Sequence, residues 1–499
     1  MRKLKDIVKE DFTNKLDTNL SFDTSSLKVS EKKVDKKKII KRVSIAVACC
    51  VIISIIAVPT GLFLDMLIEE KSSFRVVQKN YSIHQLKEME SSSFKKLNDI
   101  TYPSSKIKEN EVNEEYVNSV NNFAYEIYKN TSKEENFAFS PLNLHANLSI
   151  ASEAIENEEI LQNVDSVLGL NKTARSENYK KVYENNYILT DSGTTQMYNG
   201  VFATNKYQIN ANFINSLSSY YAEAYSLDFA NDSDIEKMLN WVGSTVNEPN
   251  FLSKKDLNLN DESAMYIFST LYFNNKWLRT YDTVNTRKDE FYLTKDNSVT
   301  VDFMYHEYMG DIYEYDKYVS CYDNYANGYK IQYIVPKSLD DNIYEVIADK
   351  NFLIEDETKK VTFTTEYGNG DVVELNPIIK LSLPKFDSTS KLDFNNTLNN
   401  MGLSVLFDRY SKSFNGAFEN LEEDVSVYLD FVKQKNNISF TETGTTIKSI
   451  AFTGFMAGAA GPAEERDEYQ VDLNQAFIYV IYDKSNIPLY VGCVDNPIA

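Results

Sequence analysis

A stretch of 22 residues without charge, Val43 to Leu64, restricts the fold of this chain more than any other sequence feature. As a helix rising about 1.5 Å per residue it spans roughly 33 Å, enough for a bilayer core of about 30 Å. Lys and Arg residues are clustered before it, within residues 32–42, and acidic residues follow it from Asp65 onwards. The positive-inside rule therefore predicts a cytoplasmic basic tail at residues 1–42, a transmembrane helix at residues 43–65, and an extracellular remainder.

Two alternatives to an uncleaved anchor are a cleaved signal peptide and a buried core helix. The basic region, residues 1–42, is long for a signal peptide, and no clear small-x-small cleavage site follows the apolar run. We therefore favour a single-pass anchor with its N-terminus in the cytoplasm.

Composition limits which classes of protein this chain can belong to. The 499 residues are 42% hydrophobic, enough for one large domain with extensions, and a net charge of −21 argues against nucleic acid as a partner. Four cysteines do not make a disulfide scaffold, since Cys49 and Cys50 lie in the apolar run and only Cys321 and Cys493 remain. Cys493 lies in an apolar strand pattern and is expected to be a buried thiol.

The rest of the chain divides into a polar stalk at residues 66–112 and a globular domain at residues 113–499. The stalk is rich in Ser and mixed charge. The domain begins with helical spacing of apolar residues and continues with strand patterns that are alternating or continuously apolar. Helices first and strands later predict an α+β domain with large antiparallel sheets.

Motifs for catalysis are missing from the sequence. The three histidines, His84, His145 and His306, form no metal-spaced pair, and no GxSxG elbow, phosphate-binding loop or dinucleotide fingerprint occurs. The sequence therefore predicts a protein that is not an enzyme, with no metal and no cofactor.

A long segment near the C-terminus, Ile438 to Phe477, is flanked by strong strand patterns. It contains Gly444, about twenty further residues without proline, a tip of small residues at 457–462 and an acidic run. Loops of this length in compact domains are usually functional or disordered. We interpret this one as an exposed bait for the active site of another protein.

Short motifs across residues 113–499 occur in an order typical of one known protein family. Each is weak alone, but their shared order along nearly the whole domain is specific. The matching segments are Asn136–Leu142, Val164–Leu170, Tyr221–Glu223, Leu227–Phe229, Asn240–Val242, Leu271–Phe273 with Lys276–Trp277, Leu383–Phe386, Met401–Gly402 and Tyr490–Pro497. The chain thus resembles a serpin, and we expect a membrane-anchored member of bacterial type.

The resemblance implies three β-sheets, about nine helices and an exposed reactive-centre loop, here preceded by a transmembrane helix. It also implies a partner and a mechanism: a serine protease, or alternatively a cysteine protease, cleaves the loop of a monomeric inhibitor. The loop then inserts into the central sheet as a new strand and traps the acylated protease. The other function left open is a non-inhibitory serpin that acts as a binding module or a sacrificial substrate.

The resemblance assigns the hinge of the loop to the residues Gly444, Thr445, Thr446, Ile447, Lys448, Ser449, Ile450 and Ala451. If this segment inserts, alternation turns Thr445 and every second residue after it inward, and turns Lys448 and Ile450 to the solvent face. The chain departs from the family at Ile447, Lys448 and Ile450, where inhibitory members carry small residues. Bulk under a closing sheet costs about 1–3 kcal/mol per misfit.

The region where the central sheet opens is assigned by resemblance to Ser140, Asn143, Trp277 and Gln434. Asn143 and Gln434 stand where the family usually has serine and histidine. Both are amides with a donor and an acceptor, so an Asn143–Gln434 hydrogen bond is expected to compensate.

The scissile bond has two candidate positions. Counting on from Gly444 by the family spacing gives Gly458–Ala459, in an apolar and small context with Met456 and Ala457 that suits an elastase- or subtilisin-like protease. Counting back from Phe477 gives a bond near Arg466, which suits a trypsin-like protease, because this loop is longer than is typical. We favour the tip around Met456–Ala460.

Overall fold

The computed structural model describes residues 93–104, 109–131, 136–260, 262–348, 351–366, 372–446 and 467–498. The chain divides into two units, Met1–Gln78 and Lys79–Ala499, and all described residues belong to the second. The predicted cytoplasmic tail and the transmembrane helix at residues 43–65 lie outside the described residues. Among the helices that are described, none has the length and apolar character needed to cross a membrane.

Asparagine defines most helix starts. The side chain of an Asn accepts a hydrogen bond from the first turn of six helices, which satisfies a backbone N–H that has no partner within the helix. These N-caps are Asn113, Asn157, Asn171, Asn210, Asn231 and Asn342, for helices α1, α3, α4, α5, α6 and α7. Ser140 caps α2 in the same way.

The helices are α1 Glu114–Asn130, α2 Pro141–Ser152, α3 Glu158–Leu168, α4 Lys172–Asn185, α5 Ala211–Ser216, α6 Asp232–Thr245 and α7 Ile343–Val346. An eighth, α8, is kinked: the segments Asn395–Leu398 and Ser404–Phe407 flank a π-helical turn, where Gly402 adopts a φ of 96°. The described residues thus contain eight helices, where about nine were expected from the resemblance.

The strands are β1 Lys95–Lys96, β2 Phe137–Phe139, β3 Ile188–Thr190, β4 Gly193–Thr204, β5 Gln208–Ile209, β6 Ala222–Leu227, β7 Met265–Lys276, β8 Arg287–Thr294, β9 Asn297–Met309, β10 Ile312–Glu314, β11 Tyr318–Asn324, β12 Lys330–Pro336, β13 Phe363–Glu366, β14 Val372–Leu375, β15 Ile378–Pro384, β16 Phe386–Asp393, β17 Phe418–Glu419, β18 Lys433–Thr441, β19 Gly444–Thr446, β20 Glu468–Asp472, β21 Phe477–Tyr482 and β22 Pro488–Val494.

Three larger sheets are present among the described residues, as the resemblance implied. The central sheet has eight strands in the order β1-β6-β4-β7-β19-β18-β16, with β3 paired to β4. A six-stranded sheet has the order β10-β11-β12-β21-β22-β2, and a four-stranded sheet has the order β20-β15-β9-β8. Two two-stranded ribbons, β13-β14 and β17-β5, complete the set.

The main hydrophobic core lies between the central sheet and the six-stranded sheet. Strands β21 and β22 are buried at every position, and α2 is buried along most of its length. Phe440 of the central sheet packs edge-on against Tyr479, with ring centroids 5.2 Å apart. Tyr490 donates a hydrogen bond to the carbonyl oxygen of Leu271 at 2.7 Å. These contacts give the middle of the central sheet a fixed back face.

Residues 93–104, which the sequence assigned to the stalk, pack on the edge of the central sheet instead. The backbone pairs Lys95 and Lys96 with β6, and Phe94 enters a second hydrophobic cluster with Phe202 and Tyr225. The ammonium group of Lys96 lies 2.6 Å from the carboxylate of Glu223. Residues 93–104 therefore pack with the folded domain, within the range that the sequence predicted to be a stalk.

We predict that Phe94→Ala lowers the free energy of unfolding of the domain by about 3 kcal/mol, because it removes a buried aromatic ring and leaves a cavity. Urea unfolding measures the change. Lys95→Ala is the matched control, since Lys95 is exposed beside it. Equal stability of the two variants would show that residues 93–104 are not part of the folded domain.

Candidate functional site

The hinge segment begins as a strand inside the central sheet. Strand β19 is hydrogen-bonded on one side to β18 and on the other to β7, with Thr445 opposite both Phe440 and Asn275. Thr445 is fully buried, and its Oγ1 accepts a hydrogen bond of 2.7 Å from the hydroxyl of Tyr325. The first residues of the predicted hinge are thus a strand between two others.

Gly444 is required by close packing. A Cβ atom at this position would lie 2.2 Å from the carbonyl oxygen of Asn275 and 2.8 Å from the Cα of Lys276. Both contacts are with backbone, which cannot move aside cheaply. Only glycine therefore lets the chain enter between β18 and β7.

Beyond β19 the two neighbouring strands face a cavity instead of each other. Among the described residues, the pairing of β19 ends at Ser439 on β18 and at Asn274 on β7. A cavity of about 300 Å³ follows, lined by residues 268–271 of β7 and residues 433–437 of β18. We call this cavity the slot. Strand edges that end on a cavity offer N–H and C=O groups to a further strand.

The slot is closed on its front by a segment that follows α6. Residues 246–257, the cover segment, contribute Glu248, Phe251 and Leu252 to the lining. Asn437 of β18 donates to the carboxylate of Glu248 at 3.0 Å, and the ammonium group of Lys435 donates to the carbonyl oxygen of Phe251 at 2.7 Å. The cover segment is therefore fixed to β18 by polar contacts.

Trp277 fixes the turn between β18 and β19. It is buried, and its indole N–H donates to the carbonyl oxygen of Thr441 at 2.9 Å. Its backbone N–H donates to the carbonyl oxygen of Thr443 at 3.1 Å, and its ring stacks on Tyr325 with centroids 4.7 Å apart. The same tyrosine bonds Thr445, so one aromatic pair positions the hinge.

An ion pair holds the residue before the hinge. The carboxylate of Glu442 accepts from Lys385 at 2.9 Å and from the hydroxyl of Thr286 at 2.9 Å. Burial acts to raise the pKa of Glu442, but the bonds from Lys385 and Thr286 outweigh it and the pKa is lowered. Glu442 is therefore ionised at neutral pH, and its carbonyl oxygen also accepts from the backbone N–H of Tyr281 at 2.9 Å.

At the other end of the slot, Gln434 bonds a backbone and not a side chain. Its amide oxygen accepts from the N–H of Ser140 and its amide nitrogen donates to the carbonyl oxygen of Ser140, both at 2.9 Å. The backbone N–H of Asn143 donates to the hydroxyl of Ser140 at 3.3 Å. The structure replaces the expected Asn143–Gln434 pair by this two-way contact, although both residues line the slot.

The structure thus brings Gly444, Thr445, Ser140, Asn143, Trp277 and Gln434 to one face or end of the same slot. Thr446 is placed by its backbone, in β19. The remaining hinge residues Ile447, Lys448, Ser449, Ile450 and Ala451, and the scissile-bond candidates Met456, Ala457, Gly458, Ala459 and Arg466, lie outside the described residues.

Sequence reasoning gave no role to Lys385, Thr286 or Tyr325. Lys385 was noted only as part of a family motif. It is 57 residues from Glu442 along the chain, and Thr286 is 156 residues away. Partners so distant leave no spacing pattern, so only a known fold could have indicated them.

The described histidines and cysteines lie mostly or fully inside the fold, away from solvent. Burial lowers the pKa of His145 to about 3 and that of His306 to about 4, so both are neutral at physiological pH. Cys321 and Cys493 are buried, and the hydroxyl of Tyr344 donates to the sulfur of Cys493 at 3.1 Å. Within the described ranges, no three His, Cys, Asp or Glu side chains are grouped so as to hold a metal ion.

A buried carboxyl group lies beside the hinge. Asp323 of β11 is buried, accepts from the backbone N–H of Asn324 at 2.7 Å, and lies 3.5 Å from the hydroxyl of Tyr281. Burial raises the pKa of Asp323 to about 7, against the weaker opposing effects of these bonds and of Arg279. This group therefore titrates near neutrality.

Comparison with known proteins gives one consistent family. The family model described as "Serpin (serine protease inhibitor)" matches residues 118–497. An uncharacterized serpin-like protein of Methanosarcina acetivorans is 25% identical over 76% of this chain and 87% of its own length. Serpin B10 of Sorex araneus is 24% identical over 76% of this chain and 99% of its own length. An uncharacterized serpin-like protein of Methanosarcina mazei is 26% identical over 78% and 91%, respectively.

Solved structures agree on the fold. The native state of the thermophilic serpin tengpin superposes with a TM-score of 0.65 at 23% identity, covering 79% of this chain and 97% of tengpin. Cleaved Serpin 42Da superposes with a TM-score of 0.62 at 18% identity, covering 77% and 98%. At these identities the likeness concerns the fold alone.

We predict that the free energy of unfolding of Asp323→Asn, compared with that of the parent at the same pH, increases as the pH rises. The folded pKa of about 7 exceeds the unfolded value of about 3.9, so the free energy of unfolding of the parent falls as pH rises through this interval. From pH 5 to pH 8 the advantage of Asp323→Asn should grow by about 3 kcal/mol.

Urea unfolding of both proteins at each pH measures this difference. Taking the difference cancels the contribution of Asp483, a second buried carboxyl group with a raised pKa of about 6. A difference that does not vary with pH would contradict the prediction.

Proposed function

Because the chain belongs to the serpin family, we propose that it is an inhibitor of serine proteases that acts by loop cleavage and strand insertion. The family consists generally of protease inhibitors whose targets are serine proteases. The observation that carries the proposal is the slot: the hinge strand β19 enters between β7 and β18, and a cavity of about 300 Å³ continues along the same two strands.

In the proposed mechanism, cleavage of the loop lets β19 grow longer along the slot. The protease attacks the loop as a substrate and becomes acylated by the residue before the cut. Cleavage frees the hinge end of the loop, which then extends β19 down the slot. Each ladder hydrogen bond contributes about 1 kcal/mol net, and each buried apolar side chain about 1.5–3 kcal/mol. The attached protease is carried with the strand before it completes hydrolysis.

The second candidate function is a non-inhibitory serpin that serves as a binding module or a sacrificial substrate. The observation in its favour is bulk in the hinge, at Ile447, Lys448 and Ile450. Slow insertion would let the protease complete hydrolysis and leave. The two candidates differ in whether a covalent complex survives.

We further propose that the domain lies outside the cell, anchored by residues 43–65 as a single-pass, monomeric membrane protein. The uncharged run from Val43 to Leu64 and the basic residues before it support this orientation. A cysteine protease stays open as the alternative target, and the acidic net charge of −21 disfavours nucleic acid. The expected bacterial type and the scissile bond stay predictions.

We predict that the full-length protein forms a complex with a serine protease that survives denaturing gel electrophoresis. An elastase-like, a subtilisin-like and a trypsin-like enzyme, with a papain-like cysteine protease, form the panel. Sequencing the nick separates a cut near Gly458 from a cut at Arg466. If every enzyme yields only cleaved fragments, trapping is wrong and the second candidate function stands.

We predict that Thr445→Arg abolishes this complex while leaving loop cleavage intact. Thr445 is fully buried against Tyr325 in β19, and a buried unpaired guanidinium is costly. Arginine at this position therefore displaces β19 from between β7 and β18, and the strand that would extend it loses its register. Thr173→Arg, the same change at an exposed helix position, is the control and should keep the complex. Persistence of the complex in Thr445→Arg would exclude insertion from this hinge.

We predict that the full-length protein stays with membranes during alkaline extraction and that the double variant V51R/I55R does not. Each arginine at the centre of a membrane helix costs about 2.5–3.5 kcal/mol. Extraction of both proteins from the same cells, followed by immunoblotting, measures the distribution. An equal distribution would argue for a cleaved signal peptide or a buried helix.

A further inference from the structure

We propose that the cover segment, residues 246–257, recognises the front side chains of the inserted strand, with Glu248 pairing Lys448 and an apolar lining receiving Ile450 and Phe452. The inference rests on the proposed function, because it needs the chain's own loop as the occupant of the slot. The inference goes beyond the proposed function because it assigns a selectivity role to residues that lie outside the loop.

The register of the occupant is fixed by β19. Thr445 lies opposite Phe440 and Asn275, and Thr446 lies opposite Ser439 and Asn274. Continuing the same antiparallel register places each further residue one position back on both neighbours. Residue 448 then lies opposite Asn437 and Tyr272, residue 450 opposite Lys435 and Thr270, and residue 452 opposite Lys433 and Phe268.

The slot covers the rows of residues 450 and 452 on both strands and the row of residue 448 on β18, since its lining includes residues 268–271 and 433–437. Thr445 is buried on the back face of the sheet, and alternation turns residues 448, 450 and 452 to the front. The front is the side of α6 and the cover segment, because Asn437 and Lys435 both bond to that segment. In the inserted state these positions would therefore face the cover segment, whereas the sequence alone places them on a solvent face.

A carboxylate is in place for Lys448. The side chain of Asn437, directly opposite residue 448 in the extended register, lies 3.0 Å from the Oε2 atom of Glu248. Neighbouring strands are about 4.8 Å apart, and a lysine side chain spans that distance. In the inserted state, Lys448 would donate a charge-assisted hydrogen bond to Glu248.

Apolar groups are in place for Ile450 and Phe452. The front lining of the slot includes Phe251, Leu252, Leu257, Phe268 and Phe431. The ammonium group of Lys435 lies 4.8 Å from the ring centroid of Phe251, which holds this ring over the slot at the row of residue 450. An isoleucine and a phenylalanine in a strand face are normal where a second layer covers them. The bulky loop residues and the cover segment are thus complementary.

The test is a double-mutant cycle in the full-length protein with the variants Lys448→Glu, Glu248→Lys and their combination. For each, the melting midpoint is measured before and after cleavage of the loop, and the gain on cleavage is compared. Each single variant should lose roughly 2–5 °C of the gain of the parent, and the double variant should recover most of it. Subtracting the uncleaved midpoint removes any effect of Glu248→Lys on the starting fold.

Two further variants keep the result interpretable. Phe452→Ser, a change in the loop alone, should also lower the gain on cleavage. Lys288→Glu makes the same charge change as Lys448→Glu at an exposed position on β8 and should leave the gain unaltered. Lys288→Glu behaving like Lys448→Glu would overturn the inference, since net charge alone would then explain the loss.

The outcomes separate this inference from the proposed function. A parent that gains stability on cleavage, with no coupling between positions 448 and 248 and no loss in Phe452→Ser, overturns the recognition by the cover segment and leaves the inhibitor proposal standing. A parent with no gain on cleavage overturns both. Coupling that restores the gain in the double variant supports both.

Discussion

The hydrogen bonds of three residues, Gly444 to Thr446, with two strands at once are the constraint on which the rest of this structure depends. They set the register of anything that follows in the slot, and they require glycine at position 444 because Asn275 and Lys276 approach so closely. Thr445 is then fixed by Tyr325, and Tyr325 by Trp277. A change in any one of these contacts shifts the entrance of the slot.

The entrance is stabilised mainly by polar contacts, and the body of the sheet by apolar ones. Glu442, Lys385 and Thr286 tie the turn before the hinge to neighbouring strands. Behind the slot, Phe440, Tyr479 and Tyr490 form a dry aromatic layer. Hydrogen bonds at the entrance are directional and hold one geometry. Apolar burial is not directional, so an added strand could pack on the back face without breaking hydrogen bonds there. In the proposed mechanism, this division would keep the hinge fixed while a new strand fills the slot.

The family and its fold were predictable from the sequence, because motifs in the right order indicate a family. The hinge assigned from Gly444 onwards stays a prediction. The docking of residues 93–104 was not predictable. Their contact with β6 combines backbone pairing with the side chains of Lys96 and Asn98, whose partners lie more than 120 residues away along the chain. Partners so distant leave no spacing pattern, and only Phe94 and Tyr102 among these residues are aromatic. The bond of Gln434 to the backbone of Ser140 was missed, since side-chain reasoning considers side-chain partners first.

The prediction that Lys448 and Ile450 are misfits shows a more general limit of judging strand residues by family usage alone. Judged by family usage they are misfits, because a strand that faces water on one side and a core on the other has no place for them. The front of this slot is covered by protein groups, which include the carboxylate of Glu248 and the rings of Phe251 and Phe268. Whether a residue suits a strand depends on the two layers it meets. A loop and a cover segment that match each other in charge and in apolar surface are best understood as one recognition unit, separated by about two hundred residues of chain but adjacent in the inserted state.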